Sequence, residues 1–416
     1  MTIVSDYTAL LRYTSAGSEN TRWNSQAALG TQTVVTYSFT ETADLADVSG
    51  DPYGASSYWA FDSTQRGYFR QAAEAFEDAA GLLFVEVDSP AMINIFGFTG
   101  GTAGGWANYA WATEYSTGQG DLAMGSSGMA PGSYGYETLL HELGHAMGLK
   151  HPHDGDPTLE AHLDTQHNTV MTYNRAGYSV DELGAFDLQA LEHLYGSAAG
   201  TSDWTAAAIS GGRVLIETTS GADTVLATGQ NTVVKAKGGD DSVIGREADD
   251  RLLGGGGNDT VTGGYGADTL AGGGGNDVLA GGLDSDAYSG ETGESDLLRG
   301  NRGRDTLHGG SGDDRLAGGN GADRLVGGDG SDVLTGGRHA DVFVFVVADY
   351  WESDRVTDFG NGGDKIEFED AFFSGGFDAL TVTQQNGNTY VYYNGEHEIE
   401  LTGFTGELTA TDFIFS

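Results

Sequence analysis

The stretch His141-Glu142-Leu143-Gly144-His145-Ala146-Met147-Gly148-Leu149-Lys150-His151 decides how the first half of this chain is read. Its pattern is H-E-x-x-H-x-x-G-x-x-H. His141 and His145 are one helical turn apart, so a helix projects both imidazoles from one face. Two imidazoles placed that way can grip one Zn²⁺ at about 2.0–2.1 Å. Glu142 stands beside the first, where it can take a proton from zinc-bound water without ligating the metal. Gly148 lets the chain leave the helix by a sharp turn, since glycine reaches positive φ without strain. That turn returns His151 as a third ligand. Three protein ligands leave a fourth position open, as in a catalytic rather than a structural zinc site. The core H-E-x-x-H also occurs in ordinary helices; the full pattern is far more specific.

Downstream lies Asn168-Thr169-Val170-Met171-Thr172-Tyr173. It resembles the Met-turn of the metzincins, where a methionine forms an apolar floor beneath the zinc. Its Met-x-Tyr form is similar to that of the serralysins. The resemblance implies that Met171 supports the site. It also implies that Tyr173 binds the zinc and swings away to hydrogen-bond the reaction intermediate. Two further stretches are similar to serralysin catalytic domains: Trp23 to Phe39, a Trp-Asn followed by an aromatic-rich strand, and the closing Asp187-Leu-Gln-Ala-Leu-Glu-His-Leu-Tyr195-Gly196. The likeness runs along essentially the whole chain. It departs in a shorter segment between Met-turn and closing helix, and in the expectation that no separate propeptide precedes the catalytic stretch.

Composition narrows the setting. The 416 residues allow two or three domains with their own cores. The absence of cysteine excludes disulfides, a thiolate zinc site and inhibition by a propeptide cysteine. With 61 acidic against 19 basic residues the net charge is −42, which excludes nucleic acid and anionic membranes as partners. Such an excess repels itself in a compact fold unless cations neutralise it. No apolar run reaches the ~18 residues of a membrane span. The start Met1-Thr2-Ile3-Val4-Ser5-Asp6 lacks the basic and apolar regions of a Sec signal peptide.

Residues 1–200 read as one α/β domain. A short helix is expected at Tyr7 to Tyr13 and strands at Thr33 to Phe39, Leu82 to Val87 and Ala91 to Phe98. Gln65 to Ala80 places Phe69, Ala72, Ala73, Phe76 and Ala80 on one helical face, closed by Gly81. Trp106 to Trp111 reads as an edge strand, where an extended peptide can add main chain to main chain. The zinc helix spans about Gly135 to Gly148. His153, His162 and His167 lie in a polar loop and read as surface histidines. Asp187 to Tyr195 reads as a last helix with Leu188, Leu191 and Leu194 on one face, and Asp187 as its cap.

Past Gly200 the composition changes, and within 201–345 a nine-residue repeat emerges. Gly254-Gly-Gly-Gly-Asn-Asp259-Thr-Val-Thr262 is followed by copies starting at Gly263 and Gly272, and the run returns from Gly309. This is G-G-x-G-x-D-x-U-x, the calcium-binding nonapeptide of RTX proteins. The glycine-rich six residues turn, and their carbonyls and aspartate face a hard cation; all-oxygen sites suit Ca²⁺. The apolar U residues (Val261, Leu270, Leu279, Leu307, Leu316, Leu325 and Leu334) point inward and stack. The candidate calcium ligands are Asp241, Asp259, Asp268, Asp277, Asp286, Asp305, Asp314, Asp323, Asp332 and Asp341. Around Gly281 to Arg299 the repeat degrades.

Residues 346–416 form a β-rich cap, with Asn386-Gly387 and Asn394-Gly395 as hairpin turns about Thr389 to Tyr393. The end Asp412-Phe413-Ile414-Phe415-Ser416 fits a buried last strand. It equally resembles the C-terminal signal read by type I (ABC) exporters of RTX proteins. The expected architecture is therefore an α/β metzincin-like catalytic domain, an all-β parallel β-roll and a β-rich C-terminal cap. The expected function is that of a secreted zinc endopeptidase: one catalytic Zn²⁺ on His141, His145, His151 and Tyr173, Glu142 as base, and several structural Ca²⁺. The expected partners are protein or peptide substrates, a type I exporter and a proteinaceous inhibitor, for a chain that is itself a monomer. Three alternatives stay open: a zinc hydrolase acting on something other than protein, an inactive or narrowly specific metzincin serving as a binding module, and an RTX adhesion module.

Overall fold

The computed structural model describes the chain apart from residues 1, 13–21, 26, 42–54, 89, 102, 110–118, 126–127, 176, 202, 283–293, 347–352, 370–375 and 394–396. It forms two compact units, residues 1–214 and 215–416.

The first unit is built on a mixed sheet. Its strand order is Leu82–Glu86, Thr33–Phe39, Ile93–Gly100, Gly120–Met124, Gly105–Ala107, with Ala55–Trp59 also antiparallel to Ile93–Gly100. Thr33–Phe39 runs parallel to both neighbours and is buried at every residue. Strands covered on both faces read as continuous apolar runs, and Thr33–Phe39 approaches that pattern with Val34, Val35, Tyr37 and Phe39. Helix α1, Ser63–Ala79, starts two residues before the expected Gln65, because Asp62 and Gln65 form a capping box that extends its first turn. It buries Phe69, Ala72, Ala73 and Phe76. Helix α2, Tyr134–Ala146, carries the first two histidines and is buried along almost its whole length. Helix α3, Ala185–Tyr195, closes the core with Ala190, Leu191, Leu194 and Tyr195. Leu188 does not share that face and is 41% exposed. The helix has turned so that Ala190 and Tyr195 take the inward positions. The expected edge strand is short, Gly105–Ala107, pairing antiparallel with Gly120–Met124; Ala110 and Trp111 lie outside the described residues.

The second unit is a two-sheet parallel solenoid. Each strand pairs with the strand two along the chain, so Leu252 faces Leu270 and Val261 faces Leu279. One nonapeptide therefore lies on each sheet and two complete a coil. Val261, Leu270, Leu279, Leu298, Leu307, Leu325 and Leu334 are fully buried, as is Leu316 to within 1%. The stacking continues past residue 345: Val342–Val346 pairs with Lys365–Glu369, which pairs with Phe413–Phe415, all parallel. Leu380–Gln385 and Asn388–Tyr393 form an antiparallel hairpin, turned at Asn386 and Gly387 with φ of +52° and +86°, and Asn388–Tyr393 also pairs antiparallel with His397–Leu401. The second expected turn, Asn394-Gly395, lies outside the described residues. The terminal apolar residues form a paired strand with Phe413 buried.

The second glycine of each repeat is required by contact as well as by conformation. Gly273 has φ +125°, and a Cβ there would sit 2.0 Å from the Gly255 carbonyl oxygen. Gly274, its neighbour, has open space. Gly273→Ala should therefore lower roll stability in saturating calcium by more than about 1 kcal/mol. Gly274→Ala should stay within about 0.5 kcal/mol of the parent. Thermal unfolding of the two variants checks this; equal melting points would contradict it.

Candidate metal centre and active site

The cap of α2 delivers the third histidine. Met147 N–H bonds Leu143 O, Leu149 N–H bonds Gly144 O, and Gly148 takes φ +94°. His151 then returns toward the helix. The Nε2 atoms of His141 and His145 each lie 3.1 Å from His151 Nε2. Each Nδ1 faces an acceptor: Val170 O at 2.8 Å, Leu149 O at 2.8 Å and Asp154 Oδ2 at 2.6 Å respectively. With Nδ1 donating, each Nε2 presents a lone pair, and three lone pairs converge with no proton between them. A cation resolves that conflict. The separations are close to the roughly 3.3 Å between ligands of a tetrahedral site with Zn–N of about 2.0–2.1 Å. Burial favours the neutral, ligating imidazole, pulling His141 down to about 4 and lowering His145 and His151. The donor set and its spacing fit zinc.

Glu142 is buried, and desolvation pushes its carboxyl up to about 8. A Cβ on Gly105 would meet the Glu142 Cγ at 2.8 Å. The glutamate thus packs against the edge strand and shares a cleft of about 340 Å³ with His141, Thr138, Tyr134, Tyr173 and Arg175. Met171 is fully buried, and a Cβ on Gly144 would meet its sulfur at 2.5 Å. Gly144 is therefore glycine so that the methionine can approach the helix between the two histidines, a role the motif alone does not disclose. Tyr173 is 62% exposed, with its ring 5.5 Å from that of His141 and 4.5 Å from that of His151. His153 stacks on His151 at 5.4 Å and its Nδ1 is 3.4 Å from Asp164 Oδ2. His162 lies by Glu160, and His167 is exposed.

Asp187 does more than cap α3. It is fully buried and accepts bonds from Gly184 N–H at 2.8 Å, Val170 N–H at 2.8 Å and the Thr169 hydroxyl at 2.6 Å. Val170 O in turn receives His141 Nδ1. One carboxylate thereby fixes the backbone that orients the His141 imidazole. Burial raises its pKa to about 6 against those three donors.

In the solenoid the repeat aspartates form two ladders. One runs Asp241, Asp259, Asp277, Asp305, Asp323, Asp341, Asp364, each backbone N–H donating to Oδ1 of the next at 2.9–3.0 Å. The other runs Asp250, Asp268, Asp296, Asp314, Asp332, Asp354. The expected place of Asp286 belongs to Asp296. The register step there is 28 residues rather than 18, because an insertion pushes the chain out of frame; Asp286 itself lies outside the described residues. Asp296, Asp354 and Asp364 are not legible as ligands in the sequence because no intact G-G-x-G precedes them. The second oxygens of Asp241, Asp250, Asp259, Asp277, Asp305 and Asp323 are buried with no hydrogen-bond partner. Burial pushes Asp241, Asp277 and Asp305 up to about 6 and Asp341 to about 7. Rows of half-satisfied buried carboxylates facing backbone carbonyls fit an oxygen-seeking cation such as Ca²⁺. A third, outer ladder is not foreseen by the repeat pattern: Asp240, Asn258 and Asn276 accept from the N–H of Asn258, Asn276 and Arg304.

Models of known families match the stretches that carry both centres. The RTX calcium-binding nonapeptide repeat matches in overlapping segments from 217 to 345, and a family described as Peptidase M66 matches residues 107–167. The chain is serralysin-like and carries RTX calcium-binding repeats. Serralysin A of Dickeya chrysanthemi is 30% identical over 209 residues, covering 43% of this chain and 42% of that protein. Serralysin G of the same organism is 28% identical, with 43% and 42% covered. The Proteus mirabilis serralysin is 26% identical, with 43% of each chain covered. This chain thus spans less than half the length of the serralysins it matches. Calcium is the cofactor of the repeats, and zinc is the cofactor that the metalloprotease likeness and the three histidines imply.

If Asp187 orients His141 through Val170, Asp187→Asn should weaken zinc binding on the order of 10–100-fold while α3 stays folded. Competition with a chromogenic chelator measures this; parental affinity in the variant would contradict it.

Proposed function

We propose that this serralysin-like chain is a secreted zinc endopeptidase whose C-terminal roll folds with calcium. One observation carries the reading: the buried carboxylate of Glu142 lines the same cleft as His141, beside three imidazoles whose lone pairs converge. Zinc, when held by His141, His145 and His151, supplies Lewis acidity for the scissile carbonyl and for an attacking water. Glu142 takes a proton from that water and returns it to the leaving amine nitrogen. Its burial, which favours the protonated form, suits the second half of that exchange. Tyr173 would hydrogen-bond the oxyanion, and its ring position beside His141 and His151 supports this. Met171 would hold the floor. A substrate peptide would add to the edge strand Gly105–Ala107, the last in its sheet among the described residues.

The buried, unbonded oxygens of Asp241, Asp250, Asp259, Asp277, Asp305 and Asp323 support a further part of this reading. In low cytoplasmic calcium the roll would stay loose enough to thread a type I exporter, and external calcium would fold it. The terminal strand Phe413–Phe415 would carry the export signal before it pairs. A proteinaceous inhibitor would act on the assembled site.

Casein hydrolysis by the calcium-refolded chain tests the activity. Glu142→Gln should lower the rate on the order of 10²–10⁴-fold with zinc content unchanged, and 1,10-phenanthroline should abolish it. Undiminished hydrolysis by Glu142→Gln would contradict the assigned base. No hydrolysis by the zinc-loaded parent would contradict the endopeptidase reading.

A further inference from the structure

The third histidine differs from the first two. His141 and His145 are carried by a buried helix, whereas His151 sits on an irregular loop that must be held by other means. The residue before it, Lys150, is only 6% exposed. A buried ammonium is costly unless its donors are satisfied. Lys150 Nζ donates to Ala9 O at 2.5 Å, Asp154 O at 2.6 Å and Pro157 O at 2.9 Å, with His151 O at 3.5 Å. These are backbone oxygens from two separate segments, gathered around one positive charge as around a bound cation. Asp154, whose carbonyl is gripped, is the residue whose carboxylate accepts from His151 Nδ1.

The N-terminal segment is fastened to the same loop by its backbone. Lys150 N–H donates to Leu10 O at 2.9 Å, Leu11 bridges to Leu149, and Ile3–Val4 pairs in parallel with Thr158–Leu159. The loop between His151 and Pro157 is thus held at both ends, with Lys150 at its centre.

We propose that Lys150 is a positioning residue for the third zinc ligand: its ammonium clamps the 151–157 loop onto the N-terminal segment and so aims Asp154, and through it His151. The inference rests on the reading of His151 as a zinc ligand. A merely structural lysine would support the fold without tuning the metal site. A positioning lysine acts on zinc through Asp154, so its effect and that of Asp154 overlap.

The test is a double-mutant cycle on the full chain in calcium, reading zinc affinity by chelator competition and the visible absorption of the Co²⁺-substituted protein. Lys150→Met should weaken zinc binding roughly 10–100-fold and change the Co²⁺ spectrum. Asp154→Asn should do the same, and the double variant should be little worse than either single one. Parental affinity in folded Lys150→Met, or losses that multiply in the double variant, would overturn the proposal. If Lys150→Met does not fold, Lys150→Gln, which keeps two donors without the charge, is held to the same outcomes. His151→Ala separates the underlying reading. Zinc retained at parental affinity there would remove His151 as a ligand. Zinc lost there but kept in Lys150→Met would overturn the clamp alone.

Discussion

Both halves of this protein depend on lone pairs that face one another with no proton between them. Three imidazole nitrogens converge beside Glu142, each committed by the acceptor behind it. In the roll, carboxylates stack one strand spacing apart, and Asp241, Asp250, Asp259, Asp277, Asp305 and Asp323 each keep one buried oxygen without a hydrogen bond. Two like charges about 4.8 Å apart repel by roughly 3–4 kcal/mol at an effective dielectric constant near 20. A few such neighbours match the whole stability of a typical domain, about 5–15 kcal/mol. We infer that neutralisation by cations is a condition of the roll's fold, and its ladder aspartates contribute to the net charge of −42.

The remaining design follows from bringing backbone oxygens and carboxylates close enough to share an ion. In the roll this excludes a Cβ: on Gly254 it would lie 2.3 Å from Asp259 Oδ2, and on Gly257 it would lie 2.1 Å from Gly239 O. At the zinc site the same demand appears as Gly144 under Met171 and Gly105 against Glu142. Hydrogen bonds then carry orientation outward, from His141 to Val170 to Asp187, and from His151 to Asp154 to Lys150. The rigid members sit on α2 and α3, and the irregular loop that bears His151 is tied to the N-terminal segment by a buried ammonium.

What can be read in advance is local. His141, His145 and His151 follow from helix period and one glycine, and the solenoid core follows from the spacing of Val261, Leu270 and their equivalents. Asp187 reads as a cap because its bonds to Thr169 and Val170 come from a segment seventeen and eighteen residues away. Lys150 carries no signal in the sequence because its partners are carbonyls, which no side-chain pattern records. Asp296 is hidden by an insertion that breaks the nine-residue frame. Leu188 is misplaced because periodicity marks an apolar stripe without saying which edge of it meets the core.

The most direct measurement of the cation constraint is amide hydrogen exchange along residues 236–341, with and without calcium. The backbone N–H groups that donate to Oδ1 along the two aspartate ladders should be strongly protected in calcium and should exchange near the unfolded rate once it is removed. Equal protection in both conditions would mean that the roll holds its stacked carboxylates without metal, which would contradict the claim that neutralisation by cations is a condition of the fold.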